Sequence, residues 1–307
     1  MMYNKDIKES YIIEKENVTC VPERELERCF ERTYPYEERL NKDVCNFTFY
    51  EIVDMYKTWN VKSYERLLNL NSYLSQYTDW CLQKTLVPDS QNHFSEMTKD
   101  IYLSCINKTY NDKRIVTREQ VLWWAKSMPN PSDGFIFLAL FEGIKGHQYE
   151  ELTKLQISDF HDGNVTLCTG RTINVSDELY NFALISSQTF EYNSVNGQKV
   201  FRFSENENPN LIVKNYHNTI SKTNETAGAR LRRRIERNCD LLEIGQYMNG
   251  QSLYDSGKIH FIKQESERLG ITAKDYLYKH IEEIENQFGQ KIHRATVFYD
   301  KYKKYLG

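Results

Sequence analysis

The sequence lacks the short motifs that mark most metal and nucleotide sites. It has no C-x-x-C pair, no H-E-x-x-H motif, no Walker glycine loop and no G-x-G-x-x-G turn. Its seven histidines and seven cysteines are scattered along the chain, and the cysteine count is odd. We therefore expect no metal site, no nucleotide or other cofactor, and free thiols in a reduced cytosol.

Long apolar runs are also missing. The longest, GFIFLALF at 134–141, is too short to span a bilayer, and the polar start MMYNKDIKES does not resemble a signal peptide. At 307 residues, with 40% hydrophobic and 27% charged residues, the chain has the composition of a soluble globular protein with room for two domains. The sequence predicts a cytoplasmic protein without a membrane partner.

Helical spacing of apolar residues dominates the first half of the chain. Residues 1–43 are charged and irregular, with Pro22 and Pro35 as breakers, and we interpret them as an N-terminal arm with a short helix around Glu23–Arg32. Residues 44–110 carry three amphipathic patterns, including FTFYEIVDMYKTW and SYERLLNLNSYLSQYTDWCLQKTL, which predict a helical domain. The polar and basic stretch at 107–120 marks the boundary to a second domain.

The second predicted domain, residues 111–307, mixes helices with short runs of strand character. TREQVLWWAKSM, SDGFIFLALFEGI and HQYEELTKLQISDF are predicted helices, and NVTLC, RTINV, QKVFRF and LIVK are predicted strands. The chain is helical in pattern again from Tyr216 onward. The predicted fold class is therefore mainly α with a small antiparallel β-sheet (α+β).

Arginine is concentrated in one predicted helix, NETAGARLRRRIERNC at 224–239. Residues 211–239 hold seven basic and two acidic residues, although the net charge of the chain is −3. The spacing turns Leu231 and Ile235 toward the core of a helix with Thr226 as its N-cap. The arginines predicted to face solvent are Arg230, Arg233, Arg234 and Arg237. Because a guanidinium donates two hydrogen bonds at once to a phosphate or guanine edge, this pattern favours nucleic-acid binding over a merely solvated face.

Four segments, in order, resemble the tyrosine recombinase (phage integrase) family. FLALFEGIKGHQYEELTKLQISDF (137–160) is similar to its first arginine box, and GRTINVSDEL (170–179) to the strand and helix cap after its hairpin. MNGQSLYDSGKIHFI (248–262) is similar to its H-x-L-R-H box, and FGQKIHRATVFY (288–299) to its nucleophile box. The helical unit at 44–110 resembles its core-binding domain. The resemblance implies a two-domain clamp that encircles duplex DNA.

The same resemblance implies which residues stand at the family's catalytic positions. The two arginines correspond to Lys145 and Tyr254, the two imidazole-type positions to Gln251 and Gln290, and the nucleophile to Tyr299. The hairpin carries no lysine where the family has one. A tyrosine and two glutamines provide neither the charge that stabilises a transition state nor proton transfer, and an unassisted phenol is a weak nucleophile. The resemblance thus implies a recombinase fold without catalysis.

Within that family the chain most resembles the DNA-binding master repressors of SPbeta-type Bacillus phages. This implies a sequence-specific repressor, not an enzyme, that maintains lysogeny by occupying phage operators in double-stranded DNA. The resemblance leaves open a regulatory phage protein as a further partner. The predicted DNA-binding residues are Arg230, Arg232, Arg233, Arg234, Arg237 and Lys222, with Lys62 and Arg66 as weaker candidates. Two alternatives stay open: a divergent active recombinase that uses Tyr299 or Tyr302, and a protein-interaction module that has lost DNA binding.

Overall fold

Two compact units make up the chain, Met1–Asn111 and Asp112–Gly307. The computed structural model describes residues 2–16, 23–61, 63–87, 91–106, 113–194, 199–202, 208–214 and 224–307. The first unit has one hydrophobic core, and the second has a larger core and a smaller cluster formed by its C-terminal helices.

The described part of the first unit is helical. Its helices are α1 (Lys5–Glu16), α2 (Glu23–Leu40), α3 (Phe49–Thr58), α4 (Tyr64–Gln83) and α5 (Lys99–Cys105), with 3-10 turns at Val44–Asn46 and His93–Glu96. A capping box of Thr48 and Glu51 starts α3, and the Ser63 hydroxyl accepts from the Arg66 amide to start α4. The buried face of α4 carries the leucines expected from its 3.6-residue period.

The first 43 residues differ from the predicted arm, because α1 and α2 pack into the core of the first unit. Tyr11 and Phe30 are buried there, with ring centres 6.1 Å apart. The charged sequence hides this role, since Lys8 is itself fully buried and donates to Glu37 on α2. Pro35, expected to break the chain, lies inside α2.

The second unit combines nine described helices with two small antiparallel sheets. The helices are α6 (Arg118–Ser127), α7 (Pro131–Phe141), α8 (Glu150–Lys154), α9 (Asp177–Ser187), α10 (Asn224–Leu241), α11 (Gly250–Leu269), α12 (Ala273–Lys279), α13 (Ile281–Phe288) and α14 (Ala295–Leu306). One sheet joins β1 (Phe160–His161), β2 (Asn164–Thr166) and β3 (Thr172–Asn174), and the other pairs β4 (Glu191–Asn193) with β5 (Val200–Arg202). Val165 lies opposite Ile173, which sets the β2–β3 register.

The apolar helix α7 is buried along its whole length and is the centre of the second unit. Helix α11 crosses it so closely that a Cβ on Gly257 would stand 1.6 Å from the carbonyl oxygen of Phe141. A side chain at this position would push the two helices apart. Gly257 therefore fixes where the residues of α11 lie relative to the loop that follows α7.

The predicted fold class is confirmed: the chain is mainly helical with small antiparallel sheets. The segment predicted as one helix, HQYEELTKLQISDF, is instead two 3-10 turns flanking the short α8, with Gln148 and Tyr149 at positive φ. Of the predicted strand LIVK, Leu211 makes an isolated bridge to Gln156. None of the described helices has the length and apolar character needed to cross a membrane.

Candidate nucleic-acid interface

Lys145 lies in the loop after α7 and begins a chain of polar contacts to α11. Its Nζ donates to Gln251 Oε1 at 2.6 Å, and Gln251 Nε2 donates to Asp255 Oδ1 at 2.8 Å. The Lys145 backbone amide donates to Glu151 Oε2 at 2.9 Å, which anchors the loop. Two of the positions that the sequence aligned with catalytic residues are therefore in direct contact.

A buried ion pair holds this loop in place from the other side. Arg171, in the hairpin between β2 and β3, donates to both carboxylate oxygens of Glu151 at 3.0 and 2.7 Å. It also donates to the carbonyl oxygen of Asn286 at 2.6 Å. Glu151 is only 1% exposed, so it needs this bidentate partner. Arg171 is a positioning residue for Lys145.

Lys258, which was not among the predicted site residues, contacts both Tyr254 and Gln290. Lys258, one turn after Tyr254 on α11, is buried, and its Nζ lies 5.1 Å from the centre of the Tyr254 ring. The same Nζ donates to Gln290 Oε1 at 3.0 Å. Lys145 Nζ lies 4.9 Å from the same ring centre. Lys258 thus joins four of the five aligned positions into one cluster.

Burial changes the acidity of the groups in this cluster. It lowers the pKa of Lys258 to about 8, with repulsion from Lys145 adding to the shift and Asp255 opposing it. Burial also lowers the pKa of Lys145, again against Asp255, and repulsion from Arg232 contributes. For Tyr254 the effect is opposite, because burial raises the pKa of a phenol. A neutral phenol beside two lysines is the expected state of the cluster near neutral pH.

Tyr299, at the nucleophile position, lies on α14 and is half-buried. Lys274 Nζ, from α12, lies 5.4 Å from its ring centre. Tyr302, the other tyrosine considered, is buried and donates to Asp255 Oδ2 at 2.7 Å. Arg114 donates to the same carboxylate oxygen at 3.2 Å and to the Tyr302 hydroxyl at 3.1 Å. The Tyr302 hydroxyl is therefore occupied by hydrogen bonds to Asp255 and Arg114.

The arginine helix, α10, begins at Asn224, ahead of the predicted cap Thr226, whose side chain lies outside the described part of the chain. Leu231 and Ile235 are buried as predicted. The exposed arginines are Arg232, Arg233 and Arg237, and Arg230 is half-buried. An exposed strip of arginine therefore runs along α10.

Arg234 is the exception, and its predicted exposure to solvent is wrong. It is 5% exposed, and its Nε donates to Asp133 Oδ1 at 2.5 Å. Its guanidinium also contacts the Ser132 hydroxyl and lies 4.7 Å from the ring centre of Tyr192. The cause is non-local: Asp133 sits in the first turn of the buried helix α7, where its charge requires a cation. Arg234 has a structural role.

Arg232 connects the strip on α10 to the lysine cluster. Its charge is close enough to contribute to the lowered pKa of Lys145. The same charge opposes the rise in the pKa of Tyr149 that burial causes. A Cβ on Gly228 would stand 2.1 Å from the Gln148 carbonyl oxygen, so α10 packs directly against this loop. One positively charged surface therefore includes Arg232 and Lys145.

The remaining predicted contacts lie elsewhere. Lys62 and Lys222 fall outside the described residues. Arg66 is exposed on α4 of the first unit, where its guanidinium pairs with Glu25 at 3.2 Å. An exposed pair of this kind is weak, so it leaves Arg66 able to exchange partners.

The sequence contained a signal for Lys258 that motif comparison does not use. Gln251, Tyr254, Asp255 and Lys258 follow the i, i+3, i+4, i+7 spacing of one helix face. A polar and charged face on a helix that is otherwise buried indicates a site, because buried charges need partners. Arg114, the cation on Asp255, comes from outside the aligned segments. Among the described residues, no group of three or more His, Cys, Asp or Glu is placed to hold a metal ion.

Comparisons with known proteins place the chain in a family. It resembles the SPbeta prophage-derived uncharacterized protein YopR of Bacillus subtilis (strain 168), with 26% identity over 207 residues, or 64% of this chain and 62% of that protein. The chain thus matches less than two thirds of that relative's length.

Two solved structures are similar to this chain at low identity. A lambda integrase dimer bound to a COC' core site has a TM-score of 0.46 and 12% identity, covering 100% of this chain and 96% of that one. The Tn1549 transposon integrase in complex with circular intermediate DNA has a TM-score of 0.46 and 13% identity, covering 98% and 95%.

Two family models account for most of the chain. The model described as MrpR, N-terminal core-binding domain, matches residues 2–83. The model described as MrpR, C-terminal catalytic domain, matches residues 115–306. The chain belongs to the MrpR family.

Proposed function

We propose that this protein is a sequence-specific DNA-binding repressor that maintains phage lysogeny with a recombinase-type fold that no longer cleaves DNA. One observation carries the proposal: Lys145, Gln251, Tyr254 and Gln290, which occupy aligned catalytic positions, are assembled into one cluster in which both imidazole-type positions are glutamine. In this proposal the fold holds DNA, and of the five aligned catalytic positions only the nucleophile position, Tyr299, keeps its residue type.

The replaced residues explain the lack of chemistry. Glutamine does not exchange a proton near neutral pH, so Gln251 and Gln290 cannot serve as general acid or base. Tyr254 brings no positive charge to a phosphorane-like transition state, and stabilisation of that charge is usually the largest catalytic effect. A tyrosine nucleophile needs activation by a neighbouring group, and the two aligned imidazole-type positions that would assist Tyr299 are glutamines.

The exposed strip on α10 is the proposed DNA contact. The exposed arginines of this strip are Arg232, Arg233 and Arg237. Arg232 is close enough to Lys145 for its charge to lower the pKa of that lysine. Guanidinium groups bind phosphates and guanine edges with two hydrogen bonds. The family's core-binding and catalytic domain descriptions and the prophage origin of YopR support a DNA-bound role in a phage.

We expect Arg233→Glu to fold normally and to weaken binding to duplexes selected from the phage genome. If Arg233 contacts a phosphate, the loss is similar for every sequence and the log–log salt slope falls by about one unit. If it contacts guanine, the loss is about 1–3 kcal/mol and is confined to particular operator positions. Fluorescence anisotropy titrations at several salt concentrations measure both quantities.

Arg268→Glu is the matched control. It makes the same charge change on an exposed arginine of the second unit, about 25 Å along α11 from Gln251 at 1.5 Å per residue. We expect its affinity and salt slope to match those of the unchanged protein. A folded Arg233→Glu protein that behaves like this control would remove α10 from the interface.

The alternative is a divergent recombinase, favoured by the half-exposed Tyr299 at the nucleophile position and by the family description as a catalytic domain. A nicked suicide duplex distinguishes the two, since an active enzyme becomes trapped as a covalent protein–DNA adduct. We expect no adduct with the unchanged protein. An adduct that forms with it and is lost in Tyr299→Phe would establish the alternative.

A further inference from the structure

Two lysines share one aromatic ring in the second unit. Lys145 and Lys258 place their Nζ atoms 4.9 and 5.1 Å from the centre of the Tyr254 ring. Lys258 Nζ also lies 5.6 Å from the ring centre of Phe288 and 5.8 Å from that of Phe298. Each ammonium donates to the amide oxygen of a glutamine, Gln251 or Gln290. Neither of these hydrogen bonds neutralises a charge.

The nearest carboxylates are occupied by other groups. Asp255 accepts from Gln251 through one oxygen and from Arg114 and Tyr302 through the other. Glu285, the other acid that acts on Lys258, accepts from the Ile292 amide at 2.6 Å. Lys301 adds a further positive charge. The surroundings of Lys258 therefore carry excess positive charge in a low-dielectric site, where an anion from outside would bind strongly.

The buried ammonium of Lys258 is hydrogen-bonded to an exposed side chain, that of Gln290. Gln290 follows Gly289, which has a φ of 57° and ends α13, and its side chain is exposed. An ammonium has three donors, and the Gln290 amide oxygen takes one of them. Rotation of Gln290 would let an anionic oxygen replace the amide oxygen on Lys258.

We propose that Lys258, with Lys145, binds a phosphodiester group of the DNA backbone in this cluster and holds it without cleavage. The inference rests on the proposed DNA-binding function and adds a residue to its interface. It makes Lys258 a replacement for the charge that Tyr254 does not provide. Gln251 and Gln290 donate their NH₂ groups to the same phosphate once their oxygens are released.

The proposal has a pH dependence whose sign follows from the charges. Only the ammonium form of Lys258 binds the phosphate, and its pKa in the free protein is about 8. The bound phosphate favours the charged form, so the pKa of Lys258 rises in the complex. Affinity is therefore highest below pH 8 and falls as the pH rises through the free and then the bound pKa.

Lys258→Met tests the contact, because the methionine stem still packs against the three rings. We expect it to weaken DNA binding by about ten- to hundredfold, as for loss of a hydrogen bond from a charged group. The salt slope should fall by about one unit. Lys263→Met, an exposed lysine on the same helix, is the matched control and should bind like the unchanged protein.

The pH profile is the second measurement and uses the unchanged protein. Between about pH 7 and about pH 9.5, its affinity should fall toward that of Lys258→Met, whereas Lys258→Arg should keep its affinity across the range because arginine stays charged. A flat profile for the unchanged protein, or a folded Lys258→Met that binds like Lys263→Met, would overturn the inference. If Arg233→Glu still weakens binding in that case, the proposed function stands without it. An unchanged protein that binds no duplex would overturn both.

Discussion

The two units each bury a lysine among aromatic rings, and the two lysines differ in one respect. In the first unit, Lys8 is fully buried and donates to both oxygens of Glu37 at 2.5 and 2.7 Å, with Asp43 at 4.0 Å. In the second unit, Lys258 is 2% exposed and donates to the uncharged amide of Gln290.

The two lysines do not differ in their distance from the nearest aromatic rings. Lys8 Nζ lies 5.1 Å from the ring centre of Phe30, a distance equal to that between Lys258 and the Tyr254 ring. The two sites differ in the acceptor. The charge of Lys8 is neutralised by the Glu37 carboxylate, whereas the acceptor of Lys258 is an uncharged amide that an anionic ligand could replace. From this difference we expect Lys8 to stabilise the first unit and Lys258 to bind the phosphate proposed above.

The largest effect should come from Lys8→Met. Removing the lysine leaves Glu37 buried beside Asp43 without its cation, which costs about 3–5 kcal/mol of the free energy of unfolding. Lys258→Met strands no carboxylate, so we expect it to leave stability unchanged or raised. Urea unfolding of the two variants measures the contrast.

A second substitution checks the reason for that loss. Adding Glu37→Leu to Lys8→Met removes the stranded charge and should recover part of the stability, although the Val44 amide then loses its Glu37 acceptor. Equal losses in Lys8→Met and Lys258→Met would show that the two lysines are not different in kind.

Arg234→Met should have the next largest effect. It removes the cation from Asp133, but Asp133 Oδ2 still accepts from Tyr192 at 3.0 Å and from Asn130 at 3.1 Å. We therefore expect a smaller loss of about 1–3 kcal/mol. Arg233→Met, the exposed neighbour on α10, should change stability by less than about 0.5 kcal/mol. Thermal and urea unfolding measure both losses. Equal destabilisation of the two variants would contradict a structural role for Arg234 that Arg233 does not share.

Arg234 also shows how far the sequence predicts this molecule. Helical periodicity predicted α10 and its buried Leu231 and Ile235, because those positions depend on local spacing. The burial of Arg234 depends on Asp133, which lies far away in the chain on α7. No pattern within α10 contains that information.

Some residues of the candidate site could likewise be predicted from the sequence, and others could not. The order of the motifs aligned five residues with one catalytic site, and the contacts described above join four of them, Lys145, Gln251, Tyr254 and Gln290, but not Tyr299. Lys258 was missed because motif comparison considers only aligned catalytic positions. The N-terminal helices were taken for an arm because the charges of Lys8 and Glu37 look solvated until the fold pairs them.

Tyr302→Phe should have a modest effect that sharpens the contrast between the lysines. The Tyr302 hydroxyl donates to Asp255 and accepts from Arg114, so its loss should cost about 1–3 kcal/mol of stability. It also removes one of the two donors on Asp255 Oδ2, so the negative charge of Asp255 acts more strongly on Lys258. The pH at which DNA affinity falls should then rise, because this stronger negative charge favours the ammonium. An unchanged pH profile would mean that Asp255 does not control Lys258.

Tyr299→Phe should have the smallest effect of all. The ring of Tyr299 packs beside Lys274, and phenylalanine preserves both the packing and the cation–π contact. We expect a stability change below about 0.5 kcal/mol and unchanged DNA affinity, since the hydroxyl has no role in the proposed repressor. Tyr302→Phe is the matched control, because it removes a hydroxyl of the same helix that has two hydrogen-bond partners. Loss of repression in a reporter strain with Tyr299→Phe, at unchanged stability, would contradict the assignment of this tyrosine to packing.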